Sequence, residues 1–157
     1  MRSRNDFLQE IVRKYQNAGN AWPTSPKEIA RWAIANKHWM PQPEAIINQC
    51  AEQLSRAMAA EYFTDEQGRR VRAKHAVVFP EGQKQLVLWD DIRTAEPKHI
   101  EIALQQRRHH ILYECKQLKN DVDHYNENRN PPRPIQMVFD FTLDLEEMEL
   151  ARKKRAA

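Results

Sequence analysis

The chain has 157 residues, and its 25 basic and 22 acidic side chains give a formal charge of +3 at neutral pH. This length is usual for one small domain with extensions. No apolar run approaches the roughly 20 residues needed to cross a bilayer, and the charged start of the chain has no apolar signal core, so we expect neither a membrane partner nor export.

The sequence first predicts two amphipathic helices. Apolar residues at spacings of three and four mark a helix from about residue 6 to 17: Phe7, Leu8, Ile11, Val12 and Tyr15. A second helix begins after Ser25, because Ser25-Pro-Lys-Glu28 combines an N-cap serine, a proline at the first helical position and a glutamate three residues after the cap. It should end near Asn36, since the prolines that follow disfavour helical backbone before them.

A third helix and a β-hairpin follow. Pro43 can open the third helix, which continues to about Tyr62 on an apolar stripe. The stripe comprises Ile46, Ile47, Cys50, Ala51, Leu54, Ala57 and Met58. The valine-rich segment 71–79, a turn around Gly82 and the segment 85–89 then predict two strands joined as a hairpin.

Helix, turn, helix and hairpin in this order resemble a winged helix-turn-helix domain. The resemblance is architectural, points to no specific family, and implies that the third helix enters the major groove while the wing touches the DNA backbone. Gln and Asn can pair with adenine edges, and Arg with guanine. By that resemblance, the groove-facing candidates are Gln42, Asn48, Gln49, Gln53 and Arg56. The alternative is an ordinary solvated face, because Glu44, Glu52 and Glu61 repel phosphate.

The predicted wing carries a run of basic residues without an acid. These residues are Arg69, Arg70, Arg72 and Lys74. Alternation along a strand would place several of them on one face, where they would contact phosphates and make binding sensitive to salt. The alternative is a charged edge strand that is protected against aggregation.

A long uninterrupted helix is predicted from about residue 97 to 128. Its apolar seam alternates spacings of three and four if Arg108 is counted as a seam position. The seam comprises Leu104, Ile111, Cys115, Leu118, Val122 and Tyr125. We expect the seam either to form a homodimer or to fold back on the first three helices, and Asn130-Pro-Pro-Arg-Pro134 to end the helix.

The C-terminal arm after this break has two interpretations. Ile135, Met137, Phe139, Phe141, Leu143 and Leu145 alternate as in a strand with one buried face. The same stretch, Gln136-Met-Val-Phe-Asp-Phe141, resembles the short peptide by which bacterial replication and repair proteins dock on the sliding clamp. That resemblance implies that Gln136 enters a polar subsite and that Met137, Phe139 and Phe141 fill apolar pockets, although Met and Phe stand where Leu is common.

Catalysis and metal binding have little support in the sequence. Cys50 and Cys115 have no CxxC spacing, which is typical of reduced thiols in a cytoplasmic protein. The histidines make no metal-ligand spacing with them, so we expect no metal. With three glycines and no catalytic motif, the chain predicts no cofactor and no enzyme.

Together these patterns predict a mainly α protein with a small β-hairpin, in the α+β class. A winged helix-turn-helix-like domain would occupy residues 1–95, the long helix 96–130, and a Pro-rich break, strand-like arm and charged tail 131–157. The leading hypothesis is a non-enzymatic, homodimeric protein, regulatory or replication-associated, that binds double-stranded DNA mainly through the wing and recruits a partner through the arm. The alternative is a protein-interaction adaptor that uses a winged domain without binding nucleic acid.

Overall fold

The chain divides into two compact units, Met1–Ala57 and Met58–Ala157. The structure is a computed structural model that describes residues 3–42 and 45–157. Its helices and strands confirm the α+β class. No helix in the described ranges is both long and apolar enough to cross a membrane.

The first unit is built on two helices, α1 (Arg4–Asn17) and α2 (Pro26–Ala35), whose bounds agree with the prediction. Ser3 and Asp6 form a reciprocal capping box at the start of α1, and Ser25 Oγ accepts a hydrogen bond from the Glu28 N–H at 3.3 Å. Between the helices the Tyr15 and Trp32 rings meet edge to face, 5.5 Å apart. The buried side chains of these two helices are Ile11, Tyr15 and Ala33.

The third helix, α3 (Ala45–Ala59), forms as predicted but buries none of its described residues. The predicted start at Pro43 lies outside the described residues. The predicted apolar stripe of α3 is largely exposed, since Ile47 is 77% exposed and Leu54 58% exposed. Helical periodicity predicts which residues share a face, but it does not say that another element covers that face.

The second unit contains two antiparallel hairpins where one was predicted. Its strands are β1 (Tyr62–Thr64), β2 (Arg70–Arg72), β3 (Lys74–Glu81) and β4 (Lys84–Asp91). The predicted strand 71–79 is divided at buried Ala73, whose N–H donates to the Glu61 carbonyl while its own carbonyl accepts from the Ile92 N–H. The chain therefore leaves the first hairpin and enters the second at this one residue. Gly82, with φ +60°, makes the tight β3–β4 turn.

The long helix α4 (Pro97–Arg129) confirms its prediction and is about 50 Å long. It lies along the outer edge of β3, where the Gln106 amide pairs with both backbone groups of Val78 at 2.9 and 3.0 Å. Nearby, His99 Nε2 donates to the His75 carbonyl oxygen at 2.9 Å. Val77 and Ala103 are buried on these two elements. Helix α4 therefore closes one edge of the β3–β4 sheet.

The C-terminal segment is extended only in its first part. The described residues 133–141 form no strand pairing, and the Asn126 amide holds the backbone of Ile135 through two hydrogen bonds of 2.9 Å. Helix α5 (Thr142–Ala156) follows, so the predicted strand is wrong for Leu143 and Leu145. Helix formation is favoured here because acidic residues begin this segment and basic residues end it, which complements the helix dipole.

Candidate nucleic-acid interface

Hairpin β1–β2 brings an exposed tyrosine and two arginines together. Tyr62 pairs with Arg72 across the hairpin, and Arg70 lies two residues before Arg72, so the three side chains share one face. The Arg70 guanidinium carbon is 4.0 Å from the centre of the Tyr62 ring. Arg72 Nε donates a hydrogen bond to the Tyr62 hydroxyl at 3.2 Å.

Helix α4 places a third arginine, Arg107, near Arg72. Arg107 and Arg72 line one groove of about 290 Å³ between α4 and the strands, together with Gln106, His110 and Trp89. We call Tyr62, Arg70, Arg72 and Arg107 the arginine–tyrosine cluster. No carboxylate among the described residues lies within ion-pair distance of its three guanidinium groups.

The charge of the arginine–tyrosine cluster acts on its tyrosine. The hydrogen bond from Arg72 lowers the pKa of the Tyr62 phenol, and the charges of Arg72, Arg70 and Arg107 lower it further. A site that stabilises the phenolate through cations also favours other anions at the same place, including phosphate. An aromatic ring among guanidinium groups is in addition a surface on which a nucleobase can stack.

The other two predicted wing cations are engaged by acids. The Asp65 carboxylate accepts from Arg69 Nε at 2.7 Å and from its N–H at 2.8 Å, and the Arg69 N–H is the main cause of the lowered pKa of Asp65. Lys74 lies between Glu61 at 3.0 Å and Asp91 at 3.2 Å, and these hydrogen bonds raise the pKa of Lys74. The predicted patch of Arg69, Arg70, Arg72 and Lys74 therefore contains two cations paired with acids and two that have no carboxylate partner among the described residues.

Four of the five predicted base-reading residues lie on α3, and Gln42 precedes this helix. Gln49, Gln53 and Arg56 are four and three residues apart, so they share one helix face, and all three are exposed. Gln42 and Asn48 are exposed as well. Within the described residues, no ion pair involves Arg56. The helix thus presents a polar, accessible stripe.

The predicted docking residues lie in the extended arm. Gln136, Met137 and Phe141 are exposed, and Phe139 is half-buried. Asp140 Oδ1 accepts from the N–H and the hydroxyl of Thr142, which lowers the pKa of Asp140 and fixes the start of α5. The arm is therefore held at both ends, by Asn126 and by this turn, with its middle accessible.

Two members of the arginine–tyrosine cluster were missed from the sequence. Tyr62 lies at the predicted end of the third helix, and Arg107 is one of several basic residues along the predicted long helix. A signal for Tyr62 was present, because an aromatic residue followed by an Asp-to-Gly turn and alternating arginines is typical of a short hairpin. No local pattern relates Arg107 to a residue 45 positions earlier.

Other chemistry has little support in the described parts of the chain. They contain no group of three or more His, Cys, Asp or Glu side chains that could hold a metal ion. Cys50 and Cys115 are free thiols. No family model, curated protein or solved structure matches this sequence.

Proposed function

We propose that this is a non-enzymatic, cytoplasmic protein, regulatory or replication-associated, that binds double-stranded DNA through the arginine–tyrosine cluster. The observation that carries the proposal is that Arg70 and Arg72, which have no carboxylate partner in the described chain, both contact exposed Tyr62, while Arg107 adds a third positive charge from α4. Guanidinium groups bind phosphate oxygens in a forked geometry that an ammonium group cannot reproduce. Acid-paired Arg69 and Lys74 would hold the hairpins in place and contribute less to binding.

The α3 stripe of Gln49, Gln53 and Arg56 is proposed as a second contact, to base edges. The order of helices and hairpins, which resembles a winged helix-turn-helix, supports this part of the proposal, as does the exposure of all three side chains. Replacing Gln49 and Gln53 with Ala should relax the preference among duplex sequences and leave the salt dependence unchanged, because amides carry no charge.

The experiment compares two variants that lose the same charge. Binding to a labelled random-sequence duplex is measured by fluorescence anisotropy at about 50 and 200 mM salt. Arg70→Ala, Arg72→Ala and Arg107→Ala together should weaken binding strongly and reduce the salt slope by roughly 2 to 3. The control variant, with Lys98, Arg129 and Arg133 changed to Ala, should bind nearly as the unaltered protein does. Equal losses in both variants would reject the cluster as the binding site.

A second candidate function, a protein-interaction adaptor, is favoured by the exposed arm. An extended segment held at both ends and open in the middle suits recognition by a groove on a partner. The residues Gln136 to Phe141, which resemble a sliding-clamp docking peptide, make that clamp the proposed partner. The arm and the DNA contact can coexist in a replication-associated protein.

The adaptor function is tested with the full chain and a purified bacterial sliding clamp by surface plasmon resonance. Gln136→Ala, or Phe139→Ala with Phe141→Ala, should abolish binding. Val138→Ala is the matched control, because Val138 is an apolar residue of the arm that is 80% exposed but lies outside the docking pattern. If the unaltered protein binds duplex at neither salt concentration yet binds the clamp, the adaptor function replaces the DNA-binding proposal.

A further inference from the structure

The two edges of the β3–β4 sheet differ. Both backbone groups of Val78 point away from β4, because they pair with the Gln106 side chain. In an antiparallel pair, the residue opposite such a position also points its N–H and C=O outward. Val87 is opposite Val78, so the backbone of Val87 faces the free edge of β4, and Gln85 and Trp89 repeat this orientation two residues away.

This free edge is uncharged over residues 85–89 and exposed over 85–88, with Trp89 half-buried. Leu86, Val87 and Leu88 are 42%, 45% and 47% exposed. In the described chain, no hydrogen-bond partner meets the outward backbone groups of Val87 or Trp89. Sheet edges of this kind pair with another strand unless a charge, a proline or another element covers them.

We propose that β4 of a second copy of this chain covers the edge, antiparallel and with Val87 on the two-fold axis. Val87 would then exchange both backbone hydrogen bonds with Val87 of the second copy. Leu86 would lie opposite Leu88, and Gln85 opposite Trp89, so apolar side chains meet on both faces. A continuous sheet of four strands forms, with an α4 helix closing each outer edge.

The charges at the ends of β4 select this arrangement. Lys84 and Asp90 are each three residues from Val87, so antiparallel pairing brings each Lys84 opposite Asp90 of the other copy. Neither side chain has an ion-pair partner in the described chain. Parallel pairing in register would place like charges together. Centring on Gln85 or Trp89 keeps the backbone orientation but shortens the pairing and separates Lys84 from Asp90.

This inference is independent of the nucleic-acid proposal, and it places the homodimer on β4 instead of the α4 seam. The first test is the molecular mass in solution of the unaltered protein and of Val87→Pro, measured by light scattering coupled to size-exclusion chromatography. Proline removes only an N–H that points outward, so the hairpin ladder is preserved. The unaltered protein should be a dimer, and Val87→Pro a folded monomer by circular dichroism.

A charge exchange gives a test that does not depend on proline. Lys84→Glu alone and Asp90→Lys alone should each weaken the dimer roughly tenfold, because each brings like charges together at both ends of the interface. The double variant K84E/D90K should restore the dimer. Restoration identifies the pairing itself, since a general effect of charge on folding would accumulate in the double variant.

Cross-linking fixes the register. In a chain with Cys50 and Cys115 changed to Ser, Val87→Cys should form an intermolecular disulfide, because the two Cα atoms would be about 5.5 Å apart. Leu86→Cys is the matched control, with a separation of about 8 Å across the same axis. A monomeric unaltered protein would overturn the inference. So would a dimer that persists in folded Val87→Pro but dissociates in Leu118→Glu, on the exposed α4 seam.

Discussion

The two hairpins of the second unit use the same antiparallel geometry for opposite purposes. Hairpin β1–β2 has three-residue strands, and its exposed face carries Tyr62, Arg70 and Arg72. Hairpin β3–β4 has eight-residue strands, contributes Val77 to the core, and has one edge sealed by Gln106. The Gln106 amide has backbone partners and holds the fold together, whereas Arg70 and Arg72 have no carboxylate partner in the described chain and are available to the anion that we propose they bind.

The largest expected loss of stability comes from the sealed edge. Gln106→Leu leaves the N–H and the carbonyl of Val78 without their partner. The free energy of unfolding, measured by urea denaturation, should therefore fall by about 1–3 kcal/mol. The neighbouring exposed residue provides the control, and Gln105→Leu should change stability little. Equal stability of both variants would show that the Gln106 amide is dispensable.

A smaller, pH-dependent loss is expected at the end of β4. The hydrogen bonds from the Arg93 side chain and backbone lower the pKa of Asp91, and Lys74 adds to this. Because the pKa of Asp91 in the folded protein lies below the ordinary value of 3.8, the ionised carboxylate stabilises the fold above pH 3.8. This stabilisation is lost as the pH falls through the folded pKa. Asp91→Asn should therefore lower the melting temperature by a few degrees at neutral pH.

The same melting temperatures measured at acid pH supply the control. Below pH 3.8 the unfolded chain takes up a proton at Asp91 that the folded protein does not, so the difference between the two melting temperatures should shrink as the pH falls toward the lowered folded pKa. A difference that remains constant with pH would mean that the loss comes from packing and not from the charge of Asp91.

The C-terminal arm tests whether a side-chain amide that binds backbone groups, as Gln106 does on β3, also restrains the chain elsewhere. Asn126 holds Ile135 as Gln106 holds Val78, but at an exposed site, so little global stability depends on it. Asn126→Ala should leave the melting temperature nearly unchanged and increase chymotrypsin cleavage at Phe139 and Phe141 severalfold. Asn128→Ala is the matched control. Unchanged cleavage would show that the Asn126 amide does not restrain the arm.

The smallest expected effect is on the titration of Tyr62. The hydrogen bond from Arg72 favours the phenolate, so Arg72→Ala should raise the pKa of Tyr62 toward its ordinary value of 10.0. The difference in ultraviolet absorbance between each protein and its Tyr62→Phe partner isolates this one phenol. An unchanged midpoint would contradict the arrangement of the arginine–tyrosine cluster.

Much of the helical framework could be predicted because its signals are local. The Ser25 cap with Pro26 and the unbroken stretch from 97 to 128 place α2 and α4 within one or two residues. Capping and the absence of helix breakers act over a few neighbouring residues, so a single sequence contains them.

The rest depends on pairings that the sequence does not display. The strands of β1–β2 are too short for alternation to be distinguished from a loop. The position of Arg107 near Arg72 depends on how α4 lies along β3. The alternating apolar residues from 135 to 145 misled because the pattern continues into α5, where the acidic start and basic end of the segment were the better signal.

The most direct test of the proposed function compares neighbouring arginines. Arg69 is paired with Asp65, and Arg70 has no acid partner in the part of the chain that the structure describes. The two variants Arg69→Ala and Arg70→Ala nevertheless lose the same charge in the same hairpin. Duplex binding by fluorescence anisotropy across the salt range should weaken several times more for Arg70→Ala, with a slope reduced by about one. Equal losses, or a larger loss for Arg69→Ala, would contradict the proposal that the unpaired arginines around Tyr62 bind DNA.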